Sequence, residues 1–288
     1  FAAPAVQSLA PNLVPIADLA NAVAWNSSSW QTASIIGPVA GGLLYGASPV
    51  LAYSTSLAFF LGAAVLVILV ERPAQRMSNK AVTKDTLLAG FRFIFGEKIV
   101  LGAISLDLFA VLLGGAVALM PVFARDILTL GPWGLGLLRA APGIGAILVA
   151  IALASYPVRH NAGVFMFVGV ALFGAGTIMF GLSQTAWVSI LALMLMGAAD
   201  MASVYVRETL IALWTPDEVR GRVNMVFVGA SNELGEFRAG TMAHFIGPVA
   251  AVVVGGVGTL AVAGLWAFGF PQLRKIDSLE APEPQTVK

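Results

Sequence analysis

Gly37-Pro38-Val39-Ala40-Gly41-Gly42 lies inside an apolar run from about residue 21 to residue 46, and its reading decides the fold. A proline within a helix removes one backbone hydrogen bond, and in a bilayer the freed carbonyl must be satisfied by a close neighbour rather than by water. The glycines permit that approach. Counted in fours, Ala33, Gly37 and Gly41 share a face and Gly42 pairs with Gly46, so the predicted helix carries a groove of small residues. The groove serves either as a plain packing kink or as a working contact between helices.

The rest of the composition agrees with a membrane setting. Hydrophobic residues make up 58% of the chain and charged residues 11%, with a mean hydropathy of +0.88; a soluble surface needs about a quarter charged residues. The 31 glycines and 15 prolines fall mostly within apolar runs. There is no cysteine, which excludes disulfides and thiol chemistry. His160 and His244 are the only histidines, too few and too far apart for a metal site or a nucleophile-base pair. No phosphate-binding Gly-x-x-x-x-Gly-Lys sequence occurs, so ATP is not an expected energy source. No basic domain points to nucleic acid, and neither enzyme activity nor a cofactor is expected.

Eight spans of about 20 apolar residues are predicted, near residues 21–46, 49–70, 99–123, 133–155, 163–182, 187–211, 223–246 and 249–270. Residues 1–13 read as the end of a further helix, and Phe1 is not an initiating methionine, so the chain is expected to begin within a longer protein. Arg72, Arg76, Lys80, Lys84, Arg92, Lys98, Arg159, Arg220, Arg222, Arg274 and Lys275 follow the even-numbered spans, whereas the opposite loops hold only Arg125. By the positive-inside rule the first set is cytoplasmic, as are both chain ends.

The expected domains are 1–70, a remnant of one helical half; 71–98, a polar linker; 99–270, a six-helix half; and 271–288, a tail. Within the linker Leu87, Leu88, Phe91, Ile94 and Phe95 share one side of a helix, a pattern suited to the inner leaflet. Val14-Pro15-Ile16-Ala17-Asp18 and Thr215-Pro216-Asp217-Glu218 enter the first and seventh spans alike. They lie about 200 positions apart, which suggests two parallel halves in a protein of roughly 400 residues.

Several of these features resemble one family. Gly-Pro-x-x-Gly-Gly is similar to the end of the antiporter motif on the fifth helix of major facilitator superfamily exporters, with Ala24 and Ala33 where that pattern has two more glycines. Asp217 followed by Arg220-Gly221-Arg222-Val223 resembles the cytoplasmic loop between the tenth and eleventh helices of the enterobactin-exporter-like, transmembrane secretion effector branch. Ser231-Asn232-Glu233-Leu234-Gly235-Glu236-Phe237, and the early Leu13-Val14-Pro15 with Leu19-Ala20-Asn21-Ala22, point the same way. The resemblance implies an all-α membrane protein, a partial major facilitator bundle of eight transmembrane helices plus the end of a ninth, helices 4 to 12 of a twelve-helix fold. It also implies that Asp217, Arg220, Gly221 and Arg222 latch the cytoplasmic side, although topology anchoring explains the arginines equally. The loop from Tyr156 to Gly163 keeps Arg159 and Gly163 but lacks the family's aspartate.

The charges are unevenly placed. Residues 49–70, 163–182 and 249–270 contain no Asp, Glu, Lys, Arg or His. These are every third span, and they are expected to face lipid, because a charge at mid-bilayer is costly unless it faces protein or water. The remaining spans supply the candidates for a transport path: Asp107 and Arg139 as a possible pair at differing depths, Asp200, and the crowded Glu233, Glu236 and Arg238. One carboxylate among Asp107, Asp200, Glu233 and Glu236 would carry a proton, or all would form fixed ion pairs. Asn26, Ser27, Ser28, Ser29, Gln31, Thr32 and Ser34 would bind substrate or join helices.

The expected protein is a monomeric, multi-pass exporter of the bacterial inner membrane, an antiporter that removes small amphipathic or hydrophobic compounds, siderophore-like molecules or drugs. Protons and membrane lipids are its expected partners. A non-transporting scaffold or lipid-handling protein on the same fold is the alternative.

Overall fold

A computed structural model describes residues 19–69, 92–215 and 217–279. The described residues are mostly helical, with no strand among them. The main helices are α1 (Leu19–Ala47), α2 (Pro49–Leu69), α3 (Lys98–Gly114), α4 (Pro132–Ser155), α5 (Ala162–Leu182), α6 (Ala186–Trp214), α7 (Asp217–Ile246) and α8 (Pro248–Gly269), followed by the short α9 (Pro271–Arg274). Each of the eight predicted spans coincides with one of α1 to α8. Six are long and apolar enough to cross a membrane, where α3 counts together with its continuation to Ile127. Among the described residues α1 contributes only the shorter apolar stretch Thr32–Ala47. The 30-residue α7 has the length but carries Glu233, Glu236, Arg238 and His244.

The chain divides into two compact units. The first contains α1, α2 and residues 131–140 of the α4 region. Here the Gly-Pro stretch meets its partner. A Cβ on Gly42 would lie 2.7 Å from the Pro132 carbonyl oxygen, and one on Gly136 would lie 2.5 Å from that of Pro38. Two helix backbones therefore touch across a glycine from each side. The predicted groove is narrower than expected. Gly37, Gly41 and Gly46 have no atom within 4 Å of a Cβ position, and Gly42 alone makes the contact. Ala33, Gly37 and Gly41 lie on the exposed side of α1, as do Asn26, Ser29, Thr32 and Ser34.

The second unit holds the rest. Within it α5 packs against α6 and α8, and α3 packs against α8, α7 and α6. Their shared core runs through Ala103, Leu106 and Ala110 of α3, Met166 and Val170 of α5, Val206 and Leu210 of α6, and Val262 of α8, and ends on Leu273 of α9. Glycines set the spacing where backbones meet: a Cβ on Gly169 would reach the Ala199 carbonyl at 2.9 Å, and one on Gly174 the Gly256 carbonyl at 3.0 Å.

This packing refines the expectation for the uncharged helices. No residue of α2 is buried. By contrast α5 buries eleven residues, because its glycine-rich side admits two neighbours. Its remaining surface is the apolar stripe Val164, Val168, Leu172, Met179 and Leu182, so an uncharged helix can meet lipid on one face and still sit deep in its bundle.

The linker pattern falls only partly on described residues, since Leu87, Leu88 and Phe91 lie outside them. Residues 92–96 are helical; Ile94 is buried with Val100, Ile104 and Ile211, whereas Phe95 is exposed. Ile94 therefore packs into protein. The start of α7 follows the helix-start chemistry of Thr215-Pro216-Asp217-Glu218: Asp217, Arg220, Gly221 and Arg222, which the resemblance assigned to a cytoplasmic loop, belong to the first turns of a helix, as an acidic first turn favours. The side chains of these four lie outside the described residues, as does the expected helix end at residues 1–13.

Past α9 the chain returns to α5. The Asp277 carboxylate accepts from the Asn161 backbone N–H (2.9 Å) and lies 3.1 Å from His160 Nδ1. The carbonyls of Asp277 and Ile276 accept from the N–H groups of Ala162 and Gly163 at 3.0 and 2.9 Å. Helices begin with N–H groups lacking intrahelical acceptors, and here a segment more than a hundred residues away supplies them. No side chain fits at Gly163, where the Leu273 and Arg274 carbonyls occupy the space a Cβ would need.

Candidate transport site

Asp107 occupies the second half of α3, whose neighbouring core residues Leu106 and Ala110 pack inward. Its carboxylate accepts from Arg207 Nη1 of α6 at 2.5 Å, and the two side chains are only 18% and 10% exposed. An ion pair this enclosed is costly to form and more costly to break, because either partner alone would leave a bare charge in the bundle. Arg207 Nε also lies 4.0 Å from Glu208 Oε1. The predicted partner for Asp107 was Arg139; the structure gives Asp107 to Arg207 and leaves Arg139 exposed.

Beside this pair lies a recess of about 250 Å³ including its open mouth, lined by Asp107, Ala110, Val111, Val170, Phe173, Asp200 and Ser203. Two of the four predicted carboxylates thus meet at one place. Asp200 is exposed at the recess, whereas Asp107 is mostly enclosed. The enclosed part has room for about one water molecule, which suits a proton or a small ion and not an organic substrate.

The other two carboxylates stand apart. Glu233 and Glu236 are exposed on α7, and neither has an ion-pair partner among the described residues. Arg238, expected near them, turns to α3. There the α-helix stops at Gly114, and the chain continues through a 3-10 turn (Val117–Leu119), a turn at Met120–Val122 and a π-type turn (Phe123–Ile127). A break inside a span exposes carbonyls that must find donors. Arg238 Nη2 donates to the Leu113 carbonyl, and Thr259 Oγ1 of α8 to that of Ala110 at 3.2 Å. The cation at the C-terminal end of α3 also matches the helix dipole. Close approach is possible because glycines face the break: a Cβ on Gly235 would lie 2.8 Å from the Val111 carbonyl, and one on Gly115 2.6 Å from the Gly235 carbonyl. Arg238 Nη1 points to Met242 Sδ at 3.0 Å, and its Nε is buried without a partner.

Sequence reasoning found Asp107, Asp200 and Arg238 but not what they face. Arg207 was legible as the only arginine of α6, and the three- and four-residue steps from Asp200 to Ser203 and from Ser203 to Arg207 mark one helical face. Ser105, which accepts from Trp266 Nε1 at 2.8 Å beside Phe109, gave no comparable signal. Among the described residues no cluster of His, Cys, Asp and Glu could hold a metal ion.

Comparison with known proteins adds the following. A family model described as transmembrane secretion effector matches residues 1–286. The chain is similar to the enterobactin exporter EntS of Shigella boydii serotype 18, with 26% identity over 279 residues that cover 94% of this chain and 66% of that protein. It is similar to the same extent to the enterobactin exporter EntS of Escherichia coli O81, and at 25% identity over 277 residues to that of Escherichia coli O1:K1. The chain thus spans 66% of the length of the curated relatives it matches.

Proposed function

From the premise that this chain belongs to the transmembrane secretion effector family of the major facilitator superfamily, we propose that it forms part of a secondary exporter of the bacterial inner membrane. The exported compounds are small and amphipathic or hydrophobic, siderophore-like or drugs, and enterobactin is the first to try because the relatives' names specify it. Export runs by alternating access in exchange for protons. In this reading α1 to α8 are helices 5 to 12 of a twelve-helix bundle, both ends of the chain face the cytoplasm, and the working unit is a monomer in contact with lipid.

The observation that carries the proton reading is the enclosed Asp107–Arg207 pair with Asp200 in the same recess. When Asp107 is ionised it holds Arg207 across the α3–α6 contact. Protonation removes that attraction and leaves Arg207 free to turn to Glu208, loosening one helix from the other. A proton taken up on one side of the membrane and lost on the other would thereby be tied to helix movement. Glu233, Glu236 and Arg139, exposed and without ion-pair partners among the described residues, are candidates for contact with substrate or with the other half of the bundle. Gly42 and Pro38 support a contact between the halves, Gly37 and Gly41 stay open to a further helix, and Asp217, Arg220, Gly221 and Arg222 form a cytoplasmic latch.

The test uses the full-length protein in cells lacking their own exporter. Enterobactin release should rise with expression and collapse when an uncoupler dissipates the proton gradient. Equal retention with and without the protein would sink the exporter reading; release that survives the uncoupler would sink proton coupling alone.

A further inference from the structure

Asp200, Ser203 and Arg207 place an acid, a hydroxyl and a cation in order along one face of α6. Asp107 of α3 faces them, and from α5 only Val170 and Phe173 reach the recess, neither of which titrates. Among the described residues the charged groups here are therefore Asp107, Asp200 and Arg207, with Glu208 beside Arg207.

Ser203 is the member that packing leaves unexplained. It is 3% exposed and lines the recess, and among the described residues its hydroxyl has no hydrogen-bond partner. Helical hydroxyls commonly donate to the carbonyl four residues back, as Thr177 and Thr209 do in this bundle; Ser203 does not. So enclosed a hydroxyl can be served only by a group that enters the recess. The recess beside it admits about one water molecule.

We infer that Ser203 positions a single water molecule between Asp200 and Asp107, making a proton path from the exposed acid to the ion-paired one. The chemistry closes on these groups. The water accepts from the Ser203 hydroxyl and donates one hydrogen to each carboxylate, which satisfies all three partners. When Asp200 arrives protonated, the water oxygen takes that proton and passes one of its own to Asp107. Asp200 is left ionised, Asp107 is neutral, and the water is regenerated. Ser203 is thus a positioning residue, and its role rests on the proton-coupling reading above.

The test is infrared difference spectroscopy of the full-length protein in lipid, stepped between about pH 8 and about pH 5, with melting temperatures to verify folding. The wild type should gain carboxylic-acid C=O bands that diminish separately in Asp200→Asn and Asp107→Asn. Followed in time after the pH step, Ser203→Ala should keep the Asp200 band, shifted to higher frequency by the lost hydrogen bond, and delay the rise of the Asp107 band. Ser203→Thr, which retains the hydroxyl, should restore both. A Ser203→Ala spectrum identical to wild type would overturn the water bridge while leaving proton coupling intact. Bands indifferent to both Asp→Asn changes would overturn the coupling reading and the bridge with it.

Discussion

Replacing Asp107 by Asn gives the sharpest energetic prediction. The substitution preserves shape but removes the charge that Arg207 faces at 2.5 Å. Breaking a fully buried pair by deleting one partner costs about 3–5 kcal/mol. The 18% and 10% side-chain exposure and the Glu208 carboxylate 4.0 Å away offer Arg207 partial compensation, so about 2–4 kcal/mol is expected here. Arg207→Met should cost a similar amount by leaving Asp107 bare. Asp107→Asn combined with Arg207→Met removes both charges and should be far milder than the two single changes added together. The assay is denaturant or thermal unfolding of the purified full-length protein in mild detergent, run as a double-mutant cycle. A coupling energy of about 2 kcal/mol or more is expected. Strict additivity would refute the claim that the pair is a unit.

Other consequences are equally concrete. Gly136→Val should lower thermal stability by about 1–3 kcal/mol through collision with the Pro38 carbonyl, whereas Gly41→Ala, with no atom within 4 Å, should be nearly neutral in the same melting experiment. Arg238→Met should cost about 1–3 kcal/mol because the Leu113 carbonyl loses its donor, and Arg238→Lys should cost less; hydrogen exchange around residues 113–127 would report the loosened break. Asp277 titrates below its ordinary 3.8, chiefly because the Asn161 N–H and then His160 favour its ionised form. Its contribution to the tail contact is therefore full above about pH 4 and lost as pH falls through the lower folded-state value. Protease accessibility of the tail should rise on that acid side in wild type, and Asp277→Asn should show the acid-side accessibility already at neutral pH.

Six of the spans were legible because a twenty-residue apolar run has few other uses, and all eight predicted stretches are helical in α1 to α8. The helix-packing glycines were legible as a type but not as individuals: spacing in fours marked Gly37, Gly41 and Gly46 equally with Gly42, and only Gly42 found a partner backbone. Asp107 stood out because an acid within an apolar helix is rare, whereas its partner depended on the rotation of α6, which no single helix encodes. The capping of α5 by Asp277 was invisible for a related reason. The sequence showed a loop lacking an acid, and the acid comes from the other end of the second unit. The break after Gly114 could be guessed from paired glycines and Pro121, but its bracing by Arg238 and Thr259 required three helices to be placed together.

Proton movement measured directly tests the central claim best. Proteoliposomes containing the full-length protein, loaded with a pH-sensitive dye and given an imposed proton gradient, should move protons against enterobactin in the wild type. The Asp107→Asn protein should bind the siderophore yet show no gradient-driven exchange. Gradient-driven exchange at the wild-type rate in Asp107→Asn would contradict the account.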